Sequence, residues 1–146
     1  MQSEQYLKER VNDQITWYNK NSGNNKFYYM TTKVVLTISA AIIPALTAYM
    51  DKDNIIIKIA IGVLSVLMAI LVNINGIFRF KENWIQYRYM SELLQSEKQL
   101  YIAEAGKYKN NTEKDSLFVE SIEGLLKNEN SQWLETIKSG KETENK

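Results

Sequence analysis

The chain of 146 residues contains no cysteine and no histidine. Those two absences remove a disulfide framework, thiol redox chemistry, Ser-His-Asp and Cys-His nucleophilic arrangements and the usual structural zinc site. Glycine is scarce, and Gly23, Gly62, Gly76, Gly106, Gly124 and Gly140 are too scattered to build a phosphate-cradling loop. Proline occurs once, at Pro44. A charge excess of either sign is missing too: 18 Lys and Arg stand against 17 Asp and Glu. That balance gives no electrostatic footprint for nucleic acid, and no nucleic-acid partner is expected. The acidic residues fall on segments that read as solvated helices. No catalytic residue, cofactor or metal ligand is therefore assigned, and the chain is not read as an enzyme.

Charge is absent locally as well. Val34 to Met50 reads VVLTISAAIIPALTAYM, and Ile59 to Phe78 reads IAIGVLSVLMAILVNINGIF. Only Asp51, Lys52, Asp53 and Asn54 stand before the second apolar stretch begins at Ile55. About 20 apolar residues, within a range of about 17–25, carry a helix across the hydrocarbon of a bilayer. Soluble amphipathic helices carry charge every turn or two. The runs are therefore expected to be two membrane spans, about residues 31–50 and 55–78, joined by a tight turn. Phe27, Tyr28 and Tyr29 sit where an interfacial aromatic belt would lie. Pro44 frees a backbone carbonyl, which gives a static kink, the reading favoured here, or a hinge. The first run starts too far along the chain for a cleaved leader.

Flanking basic residues set the orientation. Lys20, Lys26 and Lys33 precede the first span, and Arg79, Lys81 and Arg88 follow the second, against Lys52 in the turn and Lys58 just beyond it. Both termini are expected in the cytoplasm, with the protein in the inner membrane. Residues 1–90 carry 10 Lys and Arg against 6 Asp and Glu, and residues 91–146 carry 8 against 11.

The expected organisation has four parts. Residues 1–25 form an amphipathic helix, with Leu7, Val11, Ile15 and Tyr18 at helical spacing and a stop at Gly23. Residues 26–80 form the transmembrane hairpin. Residues 81–139 form a cytoplasmic helical region, and residues 140–146 a disordered tail. Nothing between Phe78 and Gly106 breaks a helix, so the second span is expected to continue to about Ala105. Phe80, Trp84, Tyr87, Leu94 and Tyr101 give that extension a coiled-coil-like seam and a means of assembly. A last helix bearing Phe118, Ile122, Leu125, Leu126, Trp133 and Ile137 is expected to fold back on it. The fold class is thus an all-α membrane protein. Asn110-Asn111-Thr112 matches a glycosylation pattern that a cytoplasmic position empties of meaning.

Within the second span Gly62, Ser65, Ala69, Asn73 and Gly76 form a stripe of mostly small residues. Thr37, Ala41, Ala45 and Ala48 form a matching stripe on the first. Small residues allow close approach of membrane helices, so the two stripes are expected to pack, with Asn73 bonded to Thr37 or a nearby carbonyl. Asn75, about 200° further round, then faces away on the side of Arg79. A polar amide facing lipid costs on the order of a kcal/mol, so Asn75 needs another subunit or water. Asn75 and Arg79 are the candidate pore or inter-subunit residues. A two-span chain cannot enclose a channel alone, which makes a closed homo-oligomer part of this reading.

The order of aromatic and charged residues adds a resemblance. Trp17-Tyr18 precedes the hairpin, and Trp84 with Tyr87-Arg88 follows it. Glu97-Lys98 with Tyr101, then Tyr108, Phe118-Val119-Glu120 with Glu123, and Trp133 complete the set. Over about residues 10–138 this order resembles the SLATT family, two-transmembrane effector domains of bacterial nucleotide-signalling conflict systems. The resemblance implies a pore-forming membrane effector that permeabilises the membrane when triggered. It also implies a nucleotide-sensing or nucleotide-synthesising partner protein. Read from the residues alone, Trp84, Tyr87, Tyr101, Phe118 and Trp133 serve core packing, while Glu97, Lys98, Glu120 and Glu123 pair on the helix surfaces or cap a loop. The alternative to the pore is a membrane-anchored interaction module that recruits a cytoplasmic partner. A surface enzyme ranks third.

Overall fold

The computed structural model describes residues 5–48 and 54–144, with residues 8, 130 and 132–144 described by backbone alone. The described residues are helical and contain no strand. A wide π-helical turn, Leu7–Val11, leads into α1, Asn12–Ala48. Helix α2 spans Ile55–Phe78 and α3 spans Phe80–Ile102. A short 3-10 turn, Gly106–Tyr108, precedes α4, Lys114–Glu144. The chain divides into two compact units: residues 1–20 with 87–146, and residues 21–86.

Three boundaries differ from the expectation. Helix α1 does not stop at Gly23 but runs through it for 37 residues. A mid-helix glycine costs about 1 kcal/mol against alanine. Packing offsets this: the adjacent Ser22 is buried and donates to the Trp84 carbonyl at 3.3 Å. Helix α2, conversely, does not continue unbroken. It ends at Arg79, which takes the left-handed conformation at φ 47° and ψ 44°. The Arg79 N–H still reaches the Asn75 carbonyl at 3.1 Å, and the Asn83 side chain donates to the Phe78 carbonyl at 2.9 Å. Those bonds satisfy carbonyls that the helix end would leave open. Stacking of Phe78 on Phe80 at 5.5 Å holds the corner from outside. Finally, α4 runs to Glu144, past Gly140, where a tail was expected. Lys141, Glu142 and Glu144 are good helix formers.

The first unit is built like a water-soluble bundle. Val11, Tyr18, Met90, Leu94, Tyr108, Phe118, Ile122 and Leu126 form one buried cluster. The Tyr101 ring stacks on Phe118 at 4.2 Å, so α4 does fold back on α3. The left-handed residues Glu104, Gly106 and Asn110 turn the chain between them. The seam of α3 from Tyr87 to Tyr101 is consumed within this core. Trp17 and Tyr18 pack on Tyr87 at 5.5 and 6.0 Å. That corrects the assembly role expected of the seam, because these faces already have partners in their own chain.

The second unit is built the other way round. Helix α2 buries none of its residues, and large apolar side chains point outward around it, Ile56 being 77% exposed and Val66 60%. Its less exposed residues are Ala60 and the series Ile57, Ile61, Leu64, Met68, Leu71 and Asn75, the series in steps of four, three, four, three and four. On α1, Thr32, Leu36, Ser39, Ile43 and Leu46 repeat the pattern. These stripes are the facing sides of an antiparallel hairpin with coiled-coil-like spacing. At its open end Tyr28 meets Phe80 at 5.5 Å and Tyr29 meets Trp84 at 6.3 Å. Asp51, Lys52 and Asp53 of the turn lie outside the described residues. Asn54 caps α2, accepting from the Ile57 N–H at 3.4 Å.

Candidate functional site

The residues expected to pack the hairpin lie on its outer faces. Gly62, Ser65, Ala69 and Asn73 are exposed on α2, as are Thr37, Ala41, Ala45 and Ala48 on α1. A Cβ added at Gly62 or Gly76 would meet nothing within 4 Å. Ser65 donates to the Ile61 carbonyl at 2.8 Å, Thr37 to the Lys33 carbonyl at 2.9 Å and Asn73 to the Ala69 carbonyl at 2.7 Å. Each polar group thus bonds back to its own helix and not across the hairpin. Of the two partners expected for Asn73, Thr37 or a nearby carbonyl, the bond is to a carbonyl, that of Ala69 on its own helix. The larger residues win the inner face because they offer more contact per turn.

Asn75 moves with that correction. It lies on the inner stripe after Leu71, and Asn73 faces outward. Asn75 lines an open cleft of about 280 Å³ with Tyr29, Lys33, Gly76, Lys81 and Glu82. The Lys33 ammonium stands 5.9 Å from the centre of the Tyr29 ring, in cation–π range. Arg79 is exposed at the corner and is not part of this lining. In the sequence Lys33 and Lys81 serve only as markers of orientation. They come together because one precedes the first apolar run and the other follows the second, and an antiparallel hairpin joins those ends.

In the first unit, four tyrosine hydroxyls donate to carboxylates: Tyr6 to Glu123 and Tyr18 to Glu129, each at 2.7 Å, Tyr101 to Asp115 at 2.7 Å, and Tyr108 to Glu97. Arg10 adds an ion pair to Glu123 at 3.2 Å, and Lys107 one to Glu97 at 2.6 Å. Burial and the Glu123 carboxylate push the Tyr6 hydroxyl up to about 12. The hydrogen bonds from Tyr6 and Arg10 hold the Glu123 carboxyl below its ordinary range. Burial raises Tyr18 as well, reinforced by Glu129.

These pairs tie the N-terminal segment to α4 and fasten the loop before it. Trp84 lies under Lys26 at 5.5 Å, and Arg88 pairs with Glu92 at 2.6 Å. Phe118 is fully buried, while Glu120 is exposed. Trp133 lies on α4, and its side chain is outside the described residues. Among the described residues no three His, Cys, Asp or Glu side chains converge as a metal site would require.

The architecture defines an all-helical protein with two helices long and apolar enough to cross a membrane and a separate packed helical unit. Residues 13–116 match the family described as protein of unknown function, DUF4231, and the chain belongs to that family. No curated protein and no solved structure matches it.

Proposed function

We propose that the chain is an inner-membrane protein that assembles into a homo-oligomeric pore, acting without enzymatic chemistry as a triggered effector of bacterial defence. One observation carries this reading: α2 has no buried residue, and its outward residues are mostly apolar and include the small stripe Gly62, Ser65, Ala69, Asn73 and Gly76. Exposed apolar surface on this scale calls for lipid or other subunits to cover it. Lipid suits Ile56 and Val66. The small stripe suits a second helix, since it lets backbones approach, and Asn73 gains a partner there that lipid cannot supply. The role given to Asn75 in the sequence therefore passes to Asn73. Residues 5–20 and 87–144 belong to one unit, which agrees with two crossings that return the chain to the same side. Lys26, Lys33, Arg79 and Lys81 assign that side to the cytoplasm. The resemblance to SLATT domains supplies the defence role and the nucleotide-sensing or nucleotide-synthesising partner.

A second reading is favoured by the self-contained core of the first unit. It makes the hairpin an anchor and the bundle a module that recruits a cytoplasmic partner. Native mass spectrometry of the full chain released from lipid nanodiscs separates the two, followed by dye efflux from vesicles. A closed ring of four or more subunits with efflux supports the pore. A monomer or dimer without efflux, with and without extracts of triggered cells, leaves the anchor.

A further inference from the structure

The open end of the hairpin carries a cleft of about 280 Å³ whose lining is polar between two apolar helices. Lys33 and Lys81 enter no ion pair among the described residues, so both ammonium groups are available to an anion. Glu82 is the one carboxylate in the lining, which leaves the cleft with one net positive charge. Asn75 offers an amide that both donates and accepts. Gly76 contributes backbone alone, with open space above it. The same two helices carry exposed apolar side chains near this end, Val34 being 56% and Ile77 75% exposed.

We propose that this cleft binds the headgroup of an anionic glycerophospholipid, a phosphodiester bearing free hydroxyls. The inference rests on the membrane-spanning reading above. The charges select the class. Two lysines against one glutamate match the single charge of a phosphodiester. A phosphomonoester carries about −1.5 to −2 and would be left partly unneutralised beside Glu82. Glu82 and Asn75 then accept hydrogen bonds from the hydroxyls of a glycerol headgroup, which choline cannot donate. The membrane-spanning reading selects a lipid over a soluble diester, because the exposed apolar side chains of the same two helices, Val34 and Ile77 among them, call for acyl chains to cover them. Rings at the same end, Tyr28 on Phe80 and Tyr29 on Trp84, suit headgroup depth, where Tyr and Trp concentrate.

The test uses the full chain in nanodiscs of phosphatidylcholine with a minor share of phosphatidylglycerol, read by native mass spectrometry for the lipid retained on release. Phosphatidylglycerol is expected to stay bound in preference. The Lys33→Gln, Lys81→Gln pair is expected to lower that preference by roughly tenfold or more. The Lys20→Gln, Arg88→Gln pair removes equal charge elsewhere and is expected to leave it unchanged. In nanodiscs that also carry phosphatidic acid at the same share, Glu82→Gln is expected to shift preference toward that lipid.

Equal retention in the Lys33, Lys81 variant overturns the proposal. So does equal loss in the Lys20, Arg88 variant, which would mean general surface attraction. Displacement of the lipid by soluble glycerophosphoglycerol would show a small-molecule site instead. An alkaline wash keeps the two readings apart. A chain that stays embedded but shows no preference refutes the lipid site alone, and a chain that washes out refutes the membrane-spanning reading beneath it.

Discussion

Glu123 is the residue on which the N-terminal segment turns, because Tyr6 and Arg10 both donate to it. Its carboxyl titrates below the ordinary 4.5, so the stability it contributes is present above that value and is lost as pH falls through the lowered one. Tyr6 works at the other end. Its hydroxyl is raised from 10.0 to about 12, so its contribution is whole below pH 10.0 and is lost as pH rises toward 12. Glu123→Gln is expected to flatten the acid limb of a plot of thermal midpoint against pH, followed by circular dichroism in detergent. Tyr6→Phe should reduce the alkaline limb without abolishing it, since Tyr18 titrates high as well. The ion pair is about half exposed, so each change at neutral pH stays within roughly 1 kcal/mol. Arg79 makes a second residue-scale test. It holds φ 47°, which glycine adopts freely and a β-branched residue resists. Arg79→Gly is expected to raise stability by up to about 1 kcal/mol, and Arg79→Val to lower it by about 1–2 kcal/mol, in the same thermal assay.

Between elements, the hairpin offers a sharper contrast. Leu64 and Met68 lie on the inner stripe of α2, while Gly62 and Ala69 lie outside it. Leu64→Ala and Met68→Ala are each expected to cost about 1–2 kcal/mol of hairpin stability, less than for a fully buried site. Thermal unfolding in detergent checks this. Gly62→Leu should cost the monomer nothing through contacts, since there is open space at its position. The existence of the two apolar helices and of the folded-back α4 was legible in the sequence, because uncharged runs and three-four spacing are direct signals. The phase of α2 was not. In a helix apolar all round, both a stripe of large residues and a stripe of small ones repeat at helical spacing, and periodicity alone cannot choose between them. One error of phase carried Asn73 and Asn75 to exchanged positions, since two residues turn the helix by about 200°. The break at Arg79 was hidden for another reason. It depends on the Asn83 side chain and the Phe78–Phe80 stack, contacts that no helix-stop residue advertises.

At the scale of the whole molecule, two surface designs share one chain. Among the described residues, the buried apolar cluster lies in residues 1–20 and 87–146, whereas most of the exposed large apolar side chains lie in residues 21–86. Water tolerates the first and not the second. Lipid contact alone would be satisfied by leucine at every outward position of α2, yet Gly62, Ser65, Ala69 and Asn73 occupy one side. Without a hydrophobic drive between helices in lipid, close packing and polar contacts hold subunits together, and small residues permit both. On the proposed pore reading, Ser65→Leu with Ala69→Leu is therefore expected to abolish the oligomer while leaving the hairpin folded and embedded. Three measurements in one preparation decide it: helical content by circular dichroism, resistance to alkaline extraction, and subunit count in nanodiscs. A reduced count with the first two unchanged places the subunit contact on this stripe. An unchanged count would mean that assembly, where it occurs, uses another face, and dye efflux would then be expected to survive both substitutions.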